Sequence, residues 1–124
     1  MTVRECYAEL NADFEGALER LCSEDMIKRF ALIFLKDESF ATVKESMEKE
    51  DYEGAFRGAH TLKGVCLNLG FTKLFEVSEE LTEELRGGKK PTDDTMFDKV
   101  ETEYNRTVAL IRELQEDEFR QDAK

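Results

Sequence analysis

Apolar residues recur every three or four positions along almost the whole chain, which is the spacing of one face of an α-helix. The clearest stripe of this kind consists of Ala55, Ala59, Leu62, Cys66 and Leu69. Similar stripes precede and follow it, and the chain contains a single proline, Pro91. The pattern therefore predicts an all-α protein.

Capping signals mark where several of these helices begin and end. Asn11 or Asp13 can cap a short second helix, and Ser23 can cap a third. A central helix is predicted over residues 52–69, and Gly70 is placed to end it in the left-handed conformation. Thr92 can cap the last long helix.

Outside the central helix, each predicted helix carries its own set of inward-facing residues. These are Val3, Tyr7 and Leu10; Phe14, Ala17, Leu18 and Leu21; Ile27, Phe30, Ala31 and Phe34; Phe40, Val43 and Met47; Phe71, Leu74, Ser78, Leu81 and Leu85; and Phe97, Val100, Tyr104, Val108, Ile111 and Leu114.

The connections between these helices are short, which favours antiparallel neighbours. We expect an up-and-down antiparallel four-helix bundle over about residues 24–116. Two short helices within residues 2–21 would pack across it or cap it, and the charged tail 117–124 would fray. A chain of 124 residues with no repeat or linker is expected to form a single domain, 1–124.

The charge and cysteine content narrow the functional classes. A formal net charge of −11 argues against a nucleic-acid partner, because phosphate backbones would be repelled. No apolar run approaches the roughly 18 residues of a membrane span, and no signal segment opens the chain. The widely spaced Cys6, Cys22 and Cys66 are typical of reduced thiols. We therefore expect a cytoplasmic monomer with no membrane partner.

The only histidine, His60, lies off the apolar stripe of the central helix. Gly64 and Leu67 share its face, and Phe56 precedes it by one turn. A glycine within a helix costs about 1 kcal/mol relative to alanine, so a compensating role is expected. The simplest one is access for another molecule to the imidazole. The alternative interpretation is an ordinary surface histidine.

This segment resembles the histidine-containing phosphotransfer (HPt) domain family. The family pattern is a histidine, a leucine two positions on, Lys-Gly and then Leu-Gly, and it corresponds here to His60, Leu62, Lys63-Gly64 and Leu69-Gly70. The similarity continues at Asp51-Tyr52 upstream, and at Leu74, Leu81 and Glu83-Glu84-Leu85 downstream. The four-helix bundle is also the fold of this family.

The resemblance implies that His60 is phosphorylated, through its Nε2 atom. Lys63, three residues on, would neutralise the phosphoryl group, unless it is simply a solvated lysine. Gly64, Leu67 and Phe56 would form a docking patch. The alternatives are that Gly64 accommodates a neighbouring helix and that Phe56 covers a helix edge. Thr82 and Arg86 would lie close to the phosphohistidine.

The resulting hypothesis is a phosphocarrier of two-component signalling with no kinase activity of its own. His60 would take a phosphoryl group from a response-regulator receiver domain and pass it to another receiver, downstream of a sensor or hybrid histidine kinase. No phosphate loop or metal-binding cluster is apparent, so no cofactor is expected, and Mg²⁺ would be held by the receiver. Acid pairs such as Glu83-Glu84 are interpreted as solvated helix faces.

Two other functional classes remain open. The chain could be a helical adaptor that binds receivers or other helices without being phosphorylated. It could also be a fragment of a larger hybrid kinase, although the Met1 start favours a free-standing protein.

Overall fold

The computed structural model describes residues 1–122, with side chains described through residue 120. Within that range the chain forms seven α-helices and no strand, which confirms the predicted all-α class. The helices are α1 (Val3–Glu9), α2 (Phe14–Leu21), α3 (Glu24–Phe34), α4 (Ser39–Glu48), α5 (Tyr52–Leu69), α6 (Thr72–Leu85) and α7 (Thr95–Asp122). None of these helices combines the length and the apolar composition that a membrane crossing requires.

Short polar side chains fix the starts of α2 and α3. Asp13 accepts a hydrogen bond from the Gly16 backbone N–H at 3.0 Å, and Ser23 accepts one from Met26 at 3.2 Å. Each cap satisfies a first-turn N–H that has no partner within the helix. At the other end of α5, Gly70 adopts a φ of 77°. The caps predicted at Asp13, Ser23 and Gly70 are thereby confirmed.

The cap predicted at Thr92 is wrong. The last helix begins at Thr95, and the Asp93 carboxylate accepts a hydrogen bond from the Thr95 backbone N–H at 2.9 Å. The Asp93 carboxylate, and not the Thr92 hydroxyl, therefore satisfies the first N–H of the helix.

The central helix is α5, which packs mainly against α4 and α6. Helix α6 also packs against α7, and α3 contacts both α5 and α7. The whole predicted stripe of α5 is buried, namely Ala55, Ala59, Leu62, Cys66 and Leu69. Burial of this stripe leaves the opposite side of α5 free to face solvent.

Gly58 allows α4 to approach α5 closely. A Cβ atom at this position would lie 3.0 Å from Val43 Cγ2, 3.2 Å from the Val43 backbone nitrogen and 3.3 Å from the Ser39 carbonyl oxygen. Two of these three atoms belong to the α4 backbone, which cannot rotate away as a side chain can. The α4–α5 spacing therefore depends on the missing side chain.

Helices α1 and α2 contact the C-terminal end of α5. Three donors from this region bind carbonyls of the last turn: Tyr7 Oη to Leu69 at 2.6 Å, Arg20 Nε to Asn68 at 3.1 Å, and the Asp13 backbone N–H to Gly70 at 2.7 Å. The last carbonyls of a helix have no partner within it, so these bonds satisfy groups that would otherwise need water.

Aromatic rings fill the space between α3, α4, α6 and α7. The Phe40 ring stacks on Tyr104 with centroids 4.3 Å apart, and the Phe34 ring meets Phe71 edge-on at 5.3 Å. Such pairs add about 0.5–1.5 kcal/mol beyond the area that they bury. The phenylalanines thus form much of the core.

One predicted inward residue, Phe30, is 37 % exposed. The buried side of α3 consists of Ile27, Ala31 and Phe34, and Phe30 precedes Ala31 by one residue, which turns it about 100° from that side. Phe30 instead lines a groove of about 460 Å³ between α3 and α5, together with Ile33. The other predicted inward residues are buried or pack against the core.

Helix α7 continues through Asp122, past residue 116, where the predicted bundle ends. Glu118 lies 3.1 Å from Lys28 of α3, and Asp117 lies 3.4 Å from Arg120 within the helix. These charge pairs support the last turns of the helix. Residues 123–124 of the predicted frayed tail lie outside the described residues.

Candidate functional site

His60 lies on the solvent-facing side of α5, opposite the buried stripe. Its side chain is exposed, and the imidazole takes part in none of the hydrogen bonds or ion pairs found among the described residues. The apolar spacing decides which side of α5 is buried and therefore which side faces solvent. The outward position of His60 follows from burial of Ala59 and Leu62. The only imidazole of the chain is therefore accessible to another molecule.

The surface next to His60 is open at Gly64, one turn further along α5. A Cβ atom at this position would meet no other atom within 4 Å. The alternative in which Gly64 accommodates a neighbouring helix is therefore wrong, because no helix lies near it. The glycine leaves backbone exposed beside the imidazole.

Phe56 connects His60 to the following helix. The Phe56 and His60 rings are nearly parallel, with an interplanar angle of 20° and centroids 6.2 Å apart. The Arg86 guanidinium carbon lies 5.3 Å from the Phe56 centroid. Phe56 is half-buried and packs against the core, so it is also a covering residue at the edge of α5. Arg86 is thus placed near the site through an aromatic ring.

Leu67 is 52 % exposed and follows His60 by two turns. Its side chain adds apolar area to the exposed side of α5 that carries His60 and Gly64. The structure brings His60, Gly64, Leu67 and Phe56 to one side of α5, as the sequence predicts.

Lys63 and Arg86 supply positive charge near His60. Glu83 of α6 interacts with both, by hydrogen bonds with Arg86 and through charge alone with Lys63. Arg86 donates two hydrogen bonds to the Glu83 carboxylate, at 2.6 Å and 3.0 Å. These bonds hold the pKa of Glu83 below its ordinary value, and the charge of Lys63 lowers that pKa further. The interpretation of Glu83 as only a solvated acid misses this pair. The three-residue spacing between Glu83 and Arg86 is the signal that could have predicted it.

The prediction that Thr82 belongs to the surface site is wrong. Thr82 is fully buried, and its hydroxyl donates a hydrogen bond to the Ser78 carbonyl at 2.7 Å. A threonine can satisfy its hydroxyl on its own helix in this way, which lets it pack beside Leu81 and Leu85. Thr82 therefore offers no hydroxyl to a ligand of His60.

The cysteines lie apart from this site. Cys66 is buried within the α5 stripe, as predicted, and Cys6 is buried in α1. Burial raises the pKa of the Cys6 thiol to about 11 and raises that of Cys66 as well. Neutral thiols are poor nucleophiles and poor metal ligands. Among residues 1–120, no group of three side chains could hold a metal ion.

Comparison with known families identifies the class of protein to which this site belongs. The model of the Hpt domain matches residues 31–116, which include α4, α5 and α6 entirely and His60 at the centre of the exposed face. The chain therefore belongs to the Hpt domain family, whose members act in phosphotransfer of two-component and phosphorelay signalling. No curated protein and no solved structure matched in the corresponding searches.

Proposed function

We propose that this protein is a phosphorelay carrier in which His60 accepts a phosphoryl group from the aspartyl phosphate of one receiver domain. It then passes the group to the aspartate of another receiver. The observation that carries the proposal is the open surface around the single histidine: the imidazole is exposed, and nothing lies within 4 Å of a Cβ at Gly64. A receiver active site needs this kind of close approach.

The chemistry requires a neutral imidazole, and histidine has an ordinary pKa of about 6.5. The lone pair of Nε2 attacks the phosphorus of the aspartyl phosphate while Nδ1 keeps its proton. The new N–P bond forms as the bond from phosphorus to the carboxyl oxygen breaks, and its electron pair stays on the receiver carboxylate. Transfer to the second receiver reverses these changes. Mg²⁺ is held by the receiver in both steps, so this chain needs no cofactor.

Nearby cations complete the site in this proposal. A phosphoryl group carries up to about two negative charges, and Lys63 follows His60 by three residues on the same flank of α5. Arg86 reaches the same region past the Phe56 ring. Leu67 and Phe56 supply apolar contact area for the docked receiver.

The proposal also covers the topology and the setting of the whole chain. We infer an up-and-down antiparallel bundle, because only two residues separate α5 from α6 and three separate α4 from α5. We further infer a single-domain, monomeric, cytoplasmic carrier supplied by a sensor or hybrid histidine kinase.

The decisive experiment uses phosphorylated receiver domains as donors, with His60→Gln as the control variant. Wild-type protein should acquire an acid-labile, alkali-stable label and pass it to a second receiver. His60→Gln should fold normally, since the side chain lies outside the core, and should acquire no label. Phosphorylation of a well-folded His60→Gln protein would contradict the proposal.

A second candidate is an adaptor that binds receivers or helices without phosphorylation. The groove between α3 and α5 favours it, because Phe30 and Ile33 leave apolar surface exposed there. An adaptor would bind a receiver equally well as wild type and as His60→Gln, with no label on either. The label and the binding measurement together separate the two functions.

A further inference from the structure

Glu83 is the acidic side chain that pairs with Arg86, one of the cations near His60. Its carboxylate accepts both hydrogen bonds from Arg86, and all of these groups are exposed. Lys63, on the neighbouring helix α5, is close enough to lower the pKa of the Glu83 carboxyl. Glu83 therefore binds Arg86 directly, whereas Lys63 acts on it only through its charge, without an ion pair.

The Phe56 ring lies next to both Arg86 and the imidazole. Arg86 lies over one face of the Phe56 ring, and the His60 ring is stacked against Phe56 in a nearly parallel orientation. Lys63 follows His60 by three residues, so the two side chains are neighbours on the helix surface. A dianionic group on His60 would enter the field of the same two cations.

We propose that Glu83 is the resident counter-ion of this site: it pairs with Arg86 while His60 is unmodified, and it competes with the phosphoryl group for that cation afterwards. The inference rests on the proposed function, because it requires a phosphoryl group on His60. Glu83 acts through Arg86 and is a positioning residue. Its carboxylate disfavours the phosphorylated state, which promotes onward transfer.

The test uses phosphoramidate, a small phosphoryl donor that needs no partner protein, and measures the phosphohistidine half-life. Glu83→Gln should lengthen the half-life about two- to five-fold, the range that exposed charge pairs produce. Glu80→Gln is the matched control, because it removes the same charge from an exposed position of α6 that has no ion pair. The control should behave as wild type.

Three further measurements separate charge competition from other effects. Glu83→Asp keeps the charge and should restore a wild-type half-life, whereas an unrestored half-life would indicate a packing effect. The effect of Glu83→Gln should shrink at high salt, because exposed charges are screened. In a Lys63→Gln, Arg86→Gln background the effect should fall to that of Glu80→Gln. An undiminished effect would mean direct repulsion and would overturn the shared-cation inference.

The two proposals fail in different ways. If phosphoramidate and phosphorylated receivers leave wild-type His60 unmodified, the proposed function is wrong. If wild type is phosphorylated but Glu83→Gln and Glu80→Gln have equal half-lives, only the counter-ion role is wrong.

Discussion

At the scale of single residues, Lys63 should tune the reaction without being essential to it. Its charge favours the phosphorylated state, but the nucleophile and the receiver's metal remain when it is removed. An exposed charge pair changes an equilibrium by only a few-fold. Lys63→Ala should therefore shorten the phosphohistidine half-life or slow transfer a few-fold, and Lys63→Arg should restore most of the loss. The half-life and the transfer rate, measured at low and high salt, test this.

A complete loss of transfer in a well-folded Lys63→Ala protein would contradict this role. The circular dichroism spectrum and the midpoint of urea unfolding serve as the folding control, because Lys63 is only half-buried.

Helical phase is what made individual site residues predictable. It placed His60, Gly64 and Leu67 outward, because the opposite stripe of α5 had to be buried. It failed for Thr82, which adjoins the buried stripe of α6 and satisfies its hydroxyl on the Ser78 carbonyl. Sequence spacing cannot distinguish a threonine that faces a ligand from one bonded to its own helix. Contacts between helices, such as Arg86 with Phe56, also require the packed structure.

At the scale of helices, two glycines of α5 should respond oppositely to substitution. Gly64 faces open space, so Gly64→Gln should raise the free energy of unfolding by up to about 1 kcal/mol through helix propensity. The same variant should slow phosphotransfer by obstructing the receiver. At Gly58, a methyl group would press on α4. Overpacking of this kind costs about 1–3 kcal/mol, which offsets the gain in helix propensity. Gly58→Ala should therefore give no increase in stability.

Urea unfolding of both variants, with receiver-dependent transfer measured in parallel, checks this contrast. Strong destabilisation of Gly64→Gln with normal transfer would mean that Gly64 is a packing residue and that docking occurs elsewhere.

The helix boundaries were predictable where one signal stood alone. Helix α5 spans the predicted residues 52–69, because Asp51 caps its start and Gly70 ends it. The start of α7 was not predictable, because Thr92, Asp93 and Asp94 are adjacent candidate caps. Near the end of α7, Glu118 pairs with Lys28, which is far away in the sequence. Local signals alone cannot reveal such long-range contacts.

At the scale of the whole molecule, stability should fall as the pH rises above 9. Burial raises the pKa of Cys6 from its ordinary value of 9.0 to about 11, and that of Cys66 also rises. Above pH 9 these thiols lose their protons in the unfolded chain but keep them in the native protein. The unfolded state then binds fewer protons, so the free energy of unfolding decreases with pH. Each thiol should contribute about 1.4 kcal/mol per pH unit.

Urea unfolding under reducing conditions between pH 7 and 10.5 measures this slope. Cys66→Ala should make the slope of the free energy of unfolding against pH less steep, whatever the substitution does to stability at pH 7. Cys22→Ala is the control, since Cys22 is exposed in the native protein and should leave the slope unchanged. An equally steep slope in Cys66→Ala would show that this thiol does not stay protonated through burial.

The donors that bind the last carbonyls of α5 come from residues 7–20, whereas the family match begins at residue 31. The segment that matches the family is therefore shorter than the segment that supports the end of the histidine helix. A fragment trimmed to the matched residues would keep every residue of the candidate site. It would also lose the donors to the Asn68, Leu69 and Gly70 carbonyls, of which only Gly70 keeps another donor, at Thr72. The histidine helix would then fray from the end opposite its N-cap.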